Sequence, residues 1–250
     1  MPEGPEIRVT AFVLNQLSNN YLKYVTSYGK RIIMVFEDKV LVSSLGMEGR
    51  WLIDKPRTKH TITQIDIGGH ILNYDDVRKF GKIKEYNNIE DVKRDLNIYS
   101  MDWMQHSLDI YGIDDGLVKL DINNNFNIIN TINPIKSKRK IADVLLDQHY
   151  FNGIGNYIKS EVLYKANIDP YRLTNTLNEF ELKKLHDSIT STMVESYKNG
   201  GFTLKSFCDP YGNPGRYKPV IYGIGKKLYI NGRVTYIADT DVYIKNTNEL

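Results

Sequence analysis

The apolar residues of this chain change their rhythm once, and that change limits the folds open to it. Between Tyr21 and Tyr86 they fall into short runs, YLKYVTSY, RIIMVFE, KVLVSSL, RWLI, TITQIDI and HILNY, punctuated by glycines and charges. Such runs, rich in β-branched and aromatic residues, read as strands of a compact, mostly antiparallel unit. From Lys140 the rhythm is helical. KIADVLLDQ carries Ile141, Val144 and Leu145, NYIKSEVLYKA follows, and then Leu182, Leu185, Ile189, Met193 and Tyr197 form a core stripe. Thr176 with Glu179 fits a capping box before that stripe, and Gly200 suits its C-terminal stop. A helix from Pro2 to about Ser18, with Val9, Phe12, Val13 and Leu17 on one face, is expected to open the chain. A hairpin over YGIGKKLYINGRVTYI, turning at Asn231-Gly232, is expected near its end. Strands first and helices after predict an α+β chain. The polar, basic run NNNFNIINTINPIKSKRK divides it, so domains are expected over residues 1–122 and 123–250.

Composition narrows the function classes. The chain has 250 residues, 41% of them hydrophobic and 25% charged, with a net charge of +3. That permits a nucleic-acid partner without demanding one, so the distribution of charge matters more than its sum. One cysteine, Cys208, excludes an internal disulfide and a cysteine-based zinc site. No run is apolar enough to span a membrane and no signal peptide precedes the core, so a soluble intracellular protein is expected, its compartment unassigned.

Several short motifs could carry chemistry. In MPEGPEI, proline and acids suit a helix start. The same residues also suit catalysis. Removal of Met1 leaves Pro2 a free secondary amine, and an α-amino group titrates near 7.7–8.0 against about 10.4 for lysine. Glu3 beside it is a natural proton donor. FNGIGNY (151–157) joins two helices, and its glycines suit either a phosphate cradle at a helix N-terminus or a tight helix–helix turn. A dinucleotide fingerprint is excluded, because position 158 is Ile and no strand precedes the glycines. Lys136, Lys138, Arg139 and Lys140 form one basic cluster. Lys205, Arg216, Lys218, Lys226, Lys227 and Arg233 form a second, and Arg78 with Lys79 beside Phe80 a third. Met47 and Phe80 lie in glycine-flanked turns, where exposed apolar side chains can wedge between bases. The histidines lack metal-binding spacing, no G-x-S-x-G elbow occurs, and Cys208 has no activating motif.

Taken in order, these segments resemble the formamidopyrimidine-DNA glycosylase / endonuclease VIII family of base-excision repair enzymes. MPEGPEI resembles its N-terminal catalytic signature, in the Gly4 form of the endonuclease VIII branch. YGKRIIMVF resembles the strand bearing its lysine, here Lys30, and SLGMEG the loop with its wedging methionine, Met47. KHTIT resembles the segment that places His60 on phosphate. YDDVRKFG resembles the loop with Arg78 for the orphaned base and Phe80 as a second wedge, with Val77 where the family has proline. IADVLLDQ…GIGNYIKSEVLYKANIDPYR resembles the helix–two-turn–helix motif with Asn156 on phosphate, and NGRVTYI the finger tip with Arg233. The four cysteines that hold zinc in many members are missing, as in the family's zincless-finger subgroup. The hairpin is then expected to be held by Tyr222, Leu228, Ile230, Tyr236 and Ile237.

The resemblance implies an N-terminal helix plus antiparallel β-sandwich, followed by a helix–two-turn–helix domain with a zincless finger hairpin. It implies a monomeric glycosylase and abasic-site lyase acting on damaged double-stranded DNA, without metal or organic cofactor. Pro2 would be the nucleophile and Glu3 the proton donor. Lys30 and Arg233 would neutralise phosphates around the flipped nucleotide, and Lys138 would add a phosphate contact. Oxidised pyrimidines and formamidopyrimidines are the expected lesions, with 8-oxoguanine allowed, because the N-terminus resembles one branch and the Met47, Arg78, Phe80 and DPYGNPGRY features the other. The rival reading is a catalytically silent damaged-DNA-binding protein of the same fold.

Overall fold

A computed structural model describes residues 1–96, 98, 101–120, 138–203 and 207–238. Helix α1 (Gly4–Asn15) starts with Pro5 in its first turn, and Glu3 is its N-cap. Seven strands follow: β1 (Leu22–Tyr28), β2 (Arg31–Phe36), β3 (Val40–Ser44), β4 (Arg50–Ile53), β5 (Thr61–Asp66), β6 (Ile71–Asp75) and β7 (Lys82–Tyr86). They form two antiparallel sheets, ordered β1-β2-β3-β7 and β4-β6-β5. The α+β reading holds.

Both faces of the larger sheet are covered. Leu22, Ile32, Met34 and Leu41 join Trp51, Leu72 and Tyr74 of the smaller sheet, with Ile7, Ala11 and Leu14 of α1. Ile33, Val35, Val40 and Val42 pack on Val92 of α2 (Ile89–Asp95). Two-sided burial explains why β2 reads as an unbroken apolar run rather than an alternating one.

The helical core comprises α3 (Trp103–Ile110), α4 (Ile141–Val144), α5 (Asn156–Ala166) and α6 (Glu179–Lys198). Thus α3, though it precedes residue 122, packs with the later helices, where Trp103 stacks on Phe151 at 5.3 Å. The expected domain boundary lies outside the described residues. Strands β8 (Lys226–Ile230) and β9 (Arg233–Ile237) form the expected hairpin, turning at Asn231-Gly232.

Two local expectations are corrected. Val9 is buried and Val13 and Leu17 pack against the sheet core as expected, but Phe12 is 36% exposed, and the most deeply buried side of α1 carries Ile7, Ala11 and Leu14. The helix lies between two cores, so its polar Glu6 and Arg8 are buried as well. The capping box of α6 is Asn178 with Glu181, not Thr176 with Glu179. Thr176 instead ends a short 3-10 turn over Thr174–Thr176.

Candidate active site

The site forms where α1 meets the GIGN turn. Gly4 N–H donates to Gly153 O at 2.9 Å, which pins the two segments together. The N-terminus of α5 has unpaired amides and the positive end of a helix dipole. Glu3 fills it. Gly155 and Ile158 N–H donate to Glu3 Oε2 at 2.7 and 3.3 Å, and Tyr157 N–H donates to Oε1 at 3.0 Å. The sequence left this turn open between a phosphate cradle and a tight turn. Its amides in fact receive a carboxylate of the chain itself. Gly155 is required for that approach, since a Cβ there would lie 2.3 Å from the Glu3 carboxyl.

Burial governs the proton on Glu3. Its side chain is 2% exposed, and loss of water pushes its pKa up to about 7. Lys30 and the amide bonds pull the other way, while Glu6 adds to the rise. Oε1 takes a single amide, which leaves it a lone pair for the proton. Burial also lowers Lys30, against the pull of Glu3. The Lys30 ammonium donates to Ile154 O at 2.6 Å.

Glu6 is a hub that the sequence did not disclose, because an acid in a first helical turn has an ordinary explanation in the dipole. Its Oε2 accepts Glu3 N–H at 2.8 Å, and its Oε1 accepts Tyr157 Oη–H at 2.9 Å and Phe202 N–H at 2.7 Å. Burial raises its pKa too.

Above this buried layer a cavity of about 360 Å³ is lined by Pro2, Lys30, Arg31, Gly46, Asn156 and Arg233, among others. Pro2, Lys30, Asn156 and Arg233, far apart in sequence, are therefore brought together. Lys138 is not in this cavity. It lines a neighbouring basic groove of about 540 Å³ with Arg139, Lys140 and Asn231, and Arg233 belongs to both.

The wedge candidates sit on two loops that pack against each other. A Cβ on Gly46 would lie 2.6 Å from Gly81 N, so the loops carrying Met47 and Phe80 touch backbone to backbone. Met47 is 39% and Phe80 54% exposed, so both side chains reach solvent from these loops. The Arg78 guanidinium lies 4.7 Å over the Phe80 ring. Buried Asp76 fixes this loop by accepting N–H bonds from Arg78 (3.0 Å) and Gly81 (2.7 Å). Asp76 N–H in turn donates to His60 O at 3.0 Å, so His60 lies at the foot of the same loop.

The hairpin is docked by polar as well as apolar contacts. Ile230 and Ile237 are buried as expected, and Tyr222 packs edge-on against Tyr236 at 4.8 Å. The central anchor, Glu161, was not foreseen from the sequence. This fully buried carboxylate accepts N–H bonds from Val220 (2.8 Å), Ile221 (2.9 Å) and Tyr222 (2.8 Å). Among the described residues no cluster of three or more His, Cys, Asp or Glu is placed to hold a metal. Nor is any described helix long and apolar enough to cross a membrane.

Comparison with known proteins agrees with this geometry. Residues 7–83 match the family model of the formamidopyrimidine-DNA glycosylase N-terminal domain, and residues 121–208 that of the formamidopyrimidine-DNA glycosylase H2TH domain. The formamidopyrimidine-DNA glycosylase of Cytobacillus firmus is 30% identical over 215 residues, which cover 84% of this chain and 73% of that protein. The chain belongs to the formamidopyrimidine-DNA glycosylase / endonuclease VIII family. A second family member, from Oceanobacillus iheyensis, is 29% identical over 85% of this chain and 76% of its own length. In fold, the chain is similar to the Lactococcus lactis family member solved with abasic-site DNA, with a TM-score of 0.77 and 23% identity over 94% of this chain and 97% of that one. The same bacterial protein bound to DNA with an oxidised pyrimidine gives a TM-score of 0.76 at 23% identity, over 95% and 98% of the two chains.

Proposed function

We propose that this chain is a bifunctional DNA glycosylase and abasic-site lyase that removes oxidised bases through a covalent intermediate at Pro2. Family membership carries the coarser part, a DNA-binding glycosylase of base-excision repair. The observation that supports the finer part is the Glu3 carboxyl. It adjoins Pro2, is buried beneath the cavity, and holds its proton to about pH 7.

In this reading the damaged nucleotide is flipped out of the stack. Met47 and Phe80 occupy the gap, and Arg78 faces the orphaned base. The Pro2 nitrogen, free once Met1 is removed, forms a bond to C1′ as the bond to the base breaks, and its N–H proton leaves with the departing base. Glu3 gives its proton to the ring oxygen, the C1′–O4′ bond opens, and a cationic iminium results. That charge acidifies C2′–H. Loss of this proton expels the 3′-phosphate, and a second elimination expels the 5′-phosphate. Lys30 and Arg233 neutralise phosphates at the cavity, Asn156 donates to one, and His60 and Lys138 extend the grip. The two sheets and the helical core with its hairpin hold the DNA between them. Oxidised pyrimidines and formamidopyrimidines are the favoured lesions, with 8-oxoguanine as a further substrate.

Borohydride trapping tests the reading. The mature chain is incubated with duplexes bearing dihydrouracil, thymine glycol, 8-oxoguanine or an abasic site, and reductant is added. A covalent adduct mapped to Pro2 by mass spectrometry is the expected result. Tight binding of abasic DNA with no adduct would leave the silent binding protein instead. One observation favours that second reading for unprocessed chains: Met1 lines the same cavity and holds the Pro2 nitrogen as an amide.

A further inference from the structure

Lys159, one turn into α5, has no exposed surface, and the steps above do not use it. A buried ammonium is expensive unless it is paired. Its Nζ donates to Val234 O on β9 at 2.9 Å and to Asn156 Oδ1 at 3.4 Å. An ammonium has donors only. Of the two ends of the Asn156 amide, it is therefore the oxygen that faces Lys159. The two Nδ2 hydrogens are left for the cavity that Asn156 lines with Pro2, Lys30 and Arg233. Val234 directly follows Arg233, so the same ammonium holds the strand at the arginine.

We propose that Lys159 is a positioning residue for phosphate recognition. It turns the donor end of Asn156 outward and ties the Arg233 strand to α5, so that two phosphate contacts on separate elements act as one unit. This rests on the reading that Asn156 and Arg233 contact phosphate. The charges that face Lys159 are Glu3, Asp143 and Arg233. The two acids favour its charged form, while burial, the larger effect, and Arg233 bring its pKa down to about 8.

A double-mutant cycle tests the proposal, with affinity measured for a duplex carrying a tetrahydrofuran abasic analogue. Lys159→Met should weaken binding about tenfold or more, the usual loss for a charge-assisted bond. In an Asn156→Ala background the same change should cost clearly less, because part of its target is gone. Lys159→Arg, which restores a cationic donor, should recover most of the affinity. If Lys159→Met does not fold, as judged by thermal melting, Lys159→Gln closes the same cycle. Losses that simply multiply, or no recovery with arginine, overturn the inference while the phosphate reading stands. Unchanged affinity in both Asn156→Ala and Arg233→Ala overturns the phosphate reading and the inference with it.

Discussion

At Glu3 two opposing effects can be weighed. Three amide bonds and Lys30 favour the carboxylate, and burial disfavours it; burial wins and leaves the pKa near 7. Glu3→Gln should therefore slow base release by about 100-fold or more, the usual size of a general-acid contribution, with DNA affinity nearly unchanged. Single-turnover excision and a binding titration check both halves. The same carboxyl has a stability signature. Its folded pKa of about 7 lies above the ordinary 4.5 of a free glutamate, so the folded chain holds the proton more tightly. That contribution is complete below pH 4.5 and is lost as the pH climbs through 7. Melting curves of the wild type should decline relative to Glu3→Gln over that window. Gly155→Ala pushes a methyl into the Glu3 carboxyl and should cost about 100-fold in excision, as small misplacements of catalytic groups do. Unchanged far-ultraviolet dichroism would show that the helix survives.

The elements differ in how clearly their residues announced them. The strand runs were legible because β-branched residues cluster between turn residues, and α5 because its apolar spacing is regular. The face of α1 was legible only in part: Val9, Val13 and Leu17 meet the core, but Phe12 does not, because the helix is also buried against a helical core from the other half of the chain. Among site residues, Pro2, Lys30, Asn156 and Arg233 stood out by motif, and the fold gathers them in one cavity. Glu6, Lys159 and Glu161 did not, because each looks like an ordinary helix-surface charge until the partner element is in place. The hairpin gives a prediction at this scale. With Glu161 gathering the backbone at 220–222, a chelator should leave both melting temperature and DNA cleavage unchanged. Glu161→Gln, which keeps the oxygen that accepts from Ile221 and Tyr222 but sets an NH2 against the Val220 N–H, should destabilise the chain by about 2 kcal/mol. Hydrogen exchange should rise first at residues 220–222.

Across the whole molecule, cationic groups on different elements line one continuous surface: Lys30 beside β2, Lys138 before α4, and Arg233 on β9. If each neutralises a phosphate, the log–log salt dependence of DNA affinity should have a slope of about −3, at roughly −0.9 per phosphate. Lys138→Ala should make it shallower by about one unit, and a titration from low to moderate salt measures this. The join between the two cores has another consequence. The acid at position 3 takes amide bonds from Gly155, Tyr157 and Ile158. On the ribosome, some 150 residues must be added before that carboxyl leaves water. Until then Glu3 titrates like any exposed glutamate, and a nascent chain has no proton to offer at neutral pH. On the proposed mechanism the chain thus acquires its chemistry late in synthesis, although Pro2 and Glu3 are among the first residues to be made.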